Sequence, residues 1–87
     1  MWKVQFSPDA INQLQLFKSG NQKLAFKVFE LLSDIQSNPF QGIGKPEPLK
    51  GNLSGFWSRR ISDEHRLVYK VMEDLVIVYS CYGHYQE

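Results

Sequence analysis

Trp2, Val4 and Phe6 alternate with Lys3 and Gln5, a period of two that predicts a half-buried strand. Ser7-Pro8-Asp9 then predicts a helix start, with Ser7 as N-cap, Pro8 in the first helical position and Asp9 near the positive end of the dipole. Ile11, Leu14 and Phe17 mark its expected buried stripe, with Phe6 placed to pack onto Ile11, and Gly20 ends it. Asn21 caps a second helix, in which Leu24, Val28, Leu31, Leu32 and Ile35 recur at helical spacing until Asn38-Pro39. Phe26 and Phe29 widen that apolar face and suggest contact with another chain. Residues 40–54, rich in Gly and Pro, read as an ordered loop. Phe56 to Ile61, Arg66 to Met72 and Leu75 to Tyr82 read as three strands, the last in the middle of the sheet.

The order strand, helix, helix, three strands predicts an α+β fold: two N-terminal helices packed on one face of a small, mainly antiparallel four-stranded sheet. Eighty-seven residues suffice for one domain, residues 1–87, with a thin core. One cysteine, Cys81, excludes a disulfide framework within the chain and fits a reducing compartment. No secretory signal and no run long enough to span a bilayer is visible, so the expected location is cytoplasmic, without membrane contact. His65 and His84 lack a surrounding carboxylate cluster, so no metal site is expected.

The formal charge is only +1, but it is unevenly placed. Residues 44–66 hold Lys45, Lys50, Arg59, Arg60 and Arg66, the aromatic pair Phe56-Trp57, and a carboxylate between two prolines, Pro46-Glu47-Pro48. A cationic patch interleaved with aromatics suits RNA. A carboxylate inside that patch serves no phosphate contact and makes sense as a proton acceptor, with Lys45 and Lys50 favouring its charged form. If residues 61–65 connect the hairpin, Arg60 pairs directly with Arg66 on one face, a like-charge cost that an anion would relieve. Read alone, each residue has a plainer role. Arg59-Arg60 is then a solvated strand edge, Arg66 a partner for Asp63 or Glu64, His65 structural, and Cys81 a small buried apolar group. Strand alternation sends one of Phe56 and Trp57 inward.

The segment GKPEPLKGNLSGFWSRRISDEHRLVY, with the later CYGHY, resembles the YoeB branch of the RelE/ParE toxin superfamily of bacterial toxin–antitoxin pairs. The resemblance covers nearly the whole chain in layout. It implies an endoribonuclease that cuts mRNA in the A site of the 70S ribosome, is held inactive by a cognate YefM-like antitoxin, and forms a homodimer. The reaction it implies needs no cofactor and no metal: the ribose 2′-OH attacks its own 3′ phosphate. Residue by residue, the family's general base matches Glu47, its general acid His84, and its phosphate-stabilising arginine Arg66. Lys50 and Arg60 match further basic positions, and Tyr85 the terminal tyrosine. An antitoxin would cover this basic face with carboxylates that compete for Arg60 and Arg66. Tyr82 stands where that family often has Arg or Lys, so one phosphate contact is lost or exchanged for stacking. The Gln86-Glu87 tail adds a negative charge. Two other readings remain: a non-catalytic inhibitor that binds its target as the ParE branch does, and an inactive co-repressor that acts only with its antitoxin.

Overall fold

The structure, a computed structural model, describes residues 1–83. Strand β1 (Lys3–Phe6) leads into helix α1 (Pro8–Gly20) and helix α2 (Gln22–Ser37). Four strands follow: β2 (Glu47–Pro48), β3 (Phe56–Arg60), β4 (Arg66–Met72) and β5 (Leu75–Ser80), with a 3₁₀ turn at Gly51–Leu53 between β2 and β3. The capping chemistry is as the sequence implies. The Ser7 hydroxyl accepts from the Ala10 N–H, and Asn21 ends α1 while its side chain accepts from the Leu24 N–H to start α2.

The strands form one sheet in the order β1-β5-β4-β3-β2. Among the described residues, only β1 runs parallel to its neighbour, β5; the other pairs are antiparallel. This confirms the two-layer α+β class but corrects the strand count from four to five. It also puts β4, not β5, at the centre. The fifth strand is Glu47–Pro48, inside the segment read as loop. Two residues, the second of them a proline, leave no alternating pattern, and proline is tolerated there because β2 is an edge strand.

The helices cover one face of the sheet. Val28, Leu31 and Ile35 of α2 are fully buried against Leu67, Tyr69, Val76 and Val78. Each aliphatic side chain buried in this way contributes about 1.5–3 kcal/mol, so this stripe anchors the layer. The inward face of α1 is rotated from expectation. Ala10 and Phe17 are buried, whereas Ile11 is 46% exposed. A helix turns about 100° per residue, so choosing position 10 inward swings position 11 to the flank. Phe26 and Phe29 lie on the outer face of α2, 70% and 55% exposed. Among the described residues no helix is long and apolar enough to cross a membrane.

Candidate active site

Arg59 lies on the helix-covered side of β3 and is completely buried. Its guanidinium donates from Nε to the Tyr69 hydroxyl, from one terminal nitrogen to the Asp34 carboxylate and the Ile43 carbonyl, and from the other to the carbonyls of Asn38 and Gln41. All five N–H groups of an arginine are thereby used. Tyr69 in turn donates to the Pro39 carbonyl at 2.7 Å. The Asp34 carboxyl is held below its ordinary value, first by the Arg59 hydrogen bond, against a contrary push from desolvation. Burial raises the Tyr69 hydroxyl above its ordinary value. Residues 38–43 are thus tied from beneath by one buried cation. The reading of Arg59 as a solvated strand edge is wrong, and the reason is alternation: Arg59 shares its face with Trp57 and the buried Ile61.

The tied segment feeds a tight approach to β3. Gly44 adopts φ +79°, and its carbonyl accepts from the Arg60 N–H at 2.7 Å. A Cβ there would meet the Leu31 side chain at 2.7 Å and the Arg60 carbonyl at 3.2 Å, so only glycine fits. Lys45 follows in a left-handed conformation, φ 51°, and the chain then extends through Glu47, which pairs with Ser58.

This register assembles a small cleft on the open face of the sheet, lined by Lys45, Glu47, Ser58, Arg60 and Arg66. Arg60 pairs directly with Arg66 across the hairpin, as the five-residue connection implies. Arg60 forms an exposed ion pair with Asp63. Arg66 does not pair with the turn carboxylates. It donates instead to the carbonyls of Ser62 at 2.6 Å and His65 at 3.1 Å, which sets the direction of its guanidinium. The cleft holds about 160 Å³, below the ~300–1,000 Å³ of sites that enclose a small molecule. One phosphodiester group of a polymer laid across it is a suitable occupant. Among the described residues, the cleft offers one carboxylate to take a proton and three cations to hold a phosphate.

Of the six residues singled out from the sequence, the structure brings Glu47, Arg60 and Arg66 together. Lys50 is exposed at the start of the 3₁₀ turn and does not line the cleft. Lys45 and Ser58 line it and were not singled out as site residues. Cross-strand register reveals Ser58, since position 58 faces position 47. His84 and Tyr85 lie outside the described residues, as do Gln86 and Glu87. The chain leading to them is anchored beside the cleft. The Arg66 N–H donates to the Gly83 carbonyl at 3.0 Å, and the Gly83 N–H donates to His65 Nδ1 at 2.8 Å. His65 is structural, as expected, with its ring against Phe17 and Tyr82. Tyr82 itself stacks on Phe17. Cys81 is buried, and burial pushes its thiol up to about 11, so no thiolate nucleophile forms at neutral pH.

A family model described as the YoeB-like toxin of bacterial type II toxin–antitoxin systems matches residues 6–85. The chain belongs to the YoeB toxin family. Toxin YoeB of Mycobacterium bovis is 48% identical over 98% of this chain and all of its own length. Toxin YoeB of Streptomyces coelicolor is 51% identical over 95% of this chain and 99% of its own. Among solved structures, a YoeB/ParE toxin from Agrobacterium tumefaciens superposes with a TM-score of 0.92 at 35% identity, covering 95% of this chain and 99% of that one. The YoeB chain of a YoeB–YefM complex from Staphylococcus aureus gives a TM-score of 0.87 at 45% identity, over 98% and 99% of the two chains. As a member of this family, the protein is a toxin of a type II toxin–antitoxin system.

Proposed function

We propose that this toxin is an endoribonuclease that cleaves mRNA in the ribosomal A site by general acid–base catalysis. The carrying observation is the cleft in which a carboxylate, Glu47, lies among Lys45, Arg60 and Arg66. Glu47 removes the proton from a ribose 2′-OH. The resulting oxygen attacks the adjacent phosphorus as the 5′ oxygen leaves, which yields a 2′,3′-cyclic phosphate and a free 5′-OH. His84 supplies the proton to the leaving oxygen, and Tyr85 orients the phosphate or stacks on a base. Arg66 and Arg60 stabilise the charge that builds on the phosphate, a contribution that preorganised cations make without reorganising during the step. Lys50, at the exposed rim, acts on the substrate strand rather than on the reacting phosphate.

Three features support this reading. Arg60 and Arg66 stand directly opposite each other, a pairing that favours an anion between them. The Arg60–Asp63 ion pair is solvent-exposed and of a kind worth about 0–1 kcal/mol, so a phosphate displaces it easily. The Gly83 carbonyl, one residue before His84, is bonded to the backbone of Arg66. The Staphylococcus aureus relatives include a YoeB dimer and a YoeB–YefM complex. By analogy, this chain pairs with a second copy and with a YefM-like antitoxin whose carboxylates compete for the same cations. The deciding experiment maps 5′ ends of mRNA after induction of the toxin, with and without its antitoxin. Cuts within ribosome-covered codons, absent in Glu47→Ala and His84→Ala variants that remain folded, are the expected result. Growth arrest with intact mRNA would point to a non-catalytic inhibitor instead.

A further inference from the structure

The open face of the sheet carries more than the cleft. Register places three pairs in succession along β3 and β4: Arg60 with Arg66, Ser58 with Val68, and Phe56 with Lys70. Side chains two residues apart on a strand share a face, so Phe56 and Lys70 continue the surface on which Arg60 and Arg66 stand. The separation from Arg60 to Phe56 is four residues, about 13 Å along the strand. Tyr79 joins this group from β5. Val68 pairs with Ser80 and Tyr69 with Val78, which leaves Tyr79 as the extra residue of a bulge. Bulges re-aim a side chain and recur beside active sites. Here the Tyr79 ring meets Phe56 edge-on, with centroids 4.8 Å apart and planes at 72°. Lys70 Nζ sits 5.6 Å from the centre of the Phe56 ring.

Among the described residues the helices pack on the opposite face of the sheet, and Tyr79 is 41% exposed while Phe56 is half-buried. Aromatic rings with a cation beside them, on the same side of β3 and β4 as the cleft and separated from it by the buried Ser58–Val68 pair, match the composition of single-strand RNA sites. Such sites combine a backbone-tracking cation with rings on which bases stack. We propose that Phe56 and Tyr79, flanked by Lys70, form a stacking platform for one base of the mRNA strand. That base belongs to a nucleotide neighbouring the cleaved linkage, not to the reacting ribose, because the platform stands about 13 Å along the strands from the arginine pair. This rests on the endoribonuclease reading and assigns the strand a direction: from the arginine pair along β3 and β4 toward the rings. Phe56 and Tyr79 are positioning residues for the substrate and take no part in proton transfer.

The test uses ribosomes programmed with an mRNA that is 2′-O-methylated at the cleaved ribose, so that it binds without being cut. A second set carries a single abasic nucleotide, moved position by position on either side of that ribose. Tyr79→Leu is expected to weaken binding of the base-bearing mRNA about 10-fold, within the range of one stacked base. On the mRNA whose abasic site falls at the stacked position, wild type and Tyr79→Leu bind equally. Tyr79→Phe retains wild-type affinity on both. Phe56→Leu repeats the comparison and replaces it should Tyr79→Leu fail to fold. An equal loss on base-bearing and on every abasic mRNA, as docking of a protein segment on the rings would give, overturns the platform; so does no loss on either. Cleavage of unmethylated mRNA by wild type is scored in parallel. Binding that depends on the base without cleavage keeps the platform and removes the nuclease. Cleavage without base dependence does the reverse.

Discussion

Arg59 and Arg60 are adjacent on one strand, chemically identical, and opposite in fate. Arg59 faces the helices, is fully buried, and spends every donor on Tyr69, Asp34 and three loop carbonyls. Arg60 faces the open side, where its partners are an exposed carboxylate on the turn and a second arginine across the hairpin. One cation organises the scaffold and the other lines the open-face cleft. The period of two in a strand is enough to separate them. A buried cation needs a partner for each donor, because an unsatisfied charge in the interior is costly. A surface cation in a binding site needs its partners to be weak, so that a ligand replaces them.

Breaking the inner arginine carries the largest expected effect. Arg59→Leu leaves Asp34, Tyr69 and the loop carbonyls without their donor. The expected cost is about 3–5 kcal/mol, read from chemical denaturation. That is a large part of the ~5–15 kcal/mol that holds a small domain together, so toxicity disappears through unfolding. If Arg59→Leu melts like wild type, the clamp does not hold residues 38–43. Next comes the open face. Glu47→Gln keeps shape and removes the charge; cleavage falls by about 10²–10⁴-fold while the melting temperature holds. A variant with near-normal cleavage would exclude Glu47 as the base.

Arg60→Gln sharpens the comparison with its neighbour. Stability changes by less than about 0.5 kcal/mol, the usual range for a surface site. The slope of log affinity against log salt becomes shallower by about 0.7, the contribution of one phosphate contact on a single strand. The smallest effect is acid sensitivity of the clamp. Asp34 has its carboxyl lowered from 3.8 by Arg59, so its contribution is present above that value and is lost as pH falls through the lower folded value. Thermal melts of wild type therefore decline below about pH 4 through this pair, and Asp34→Asn flattens that part of the curve. Identical acid profiles would mean that Asp34 contributes nothing through its charge.

Much of this arrangement is legible along the chain. Ser7-Pro8 and Asn21 start helices through local hydrogen bonds, and the apolar period of α2 marks the residues that end up buried. The hairpin connection implies the Arg60–Arg66 pair, because residues in register must face each other. Strand β2 was invisible, since two residues, one of them proline, carry no period. Lys45 joined the cleft through a left-handed backbone that depends on Gly44 packing against Leu31 and β3. The open-face aromatic pair was equally hidden, as Phe56 and Tyr79 lie 23 positions apart and meet only through strand pairing and a bulge.

The sequence by itself determined the two helices, the four longer strands and their order, because capping, periodicity and hairpin register act between residues near in the chain; the family, and with it the choice of Glu47 and Arg66, came from the resemblance of residues 44–69 to known toxins. Only the tertiary structure decided which of two adjacent arginines is buried, that Glu47 lies in a fifth strand, and which aromatics share the cleft's face. Those outcomes depend on what packs against each side of the sheet, and that is settled by segments tens of residues away.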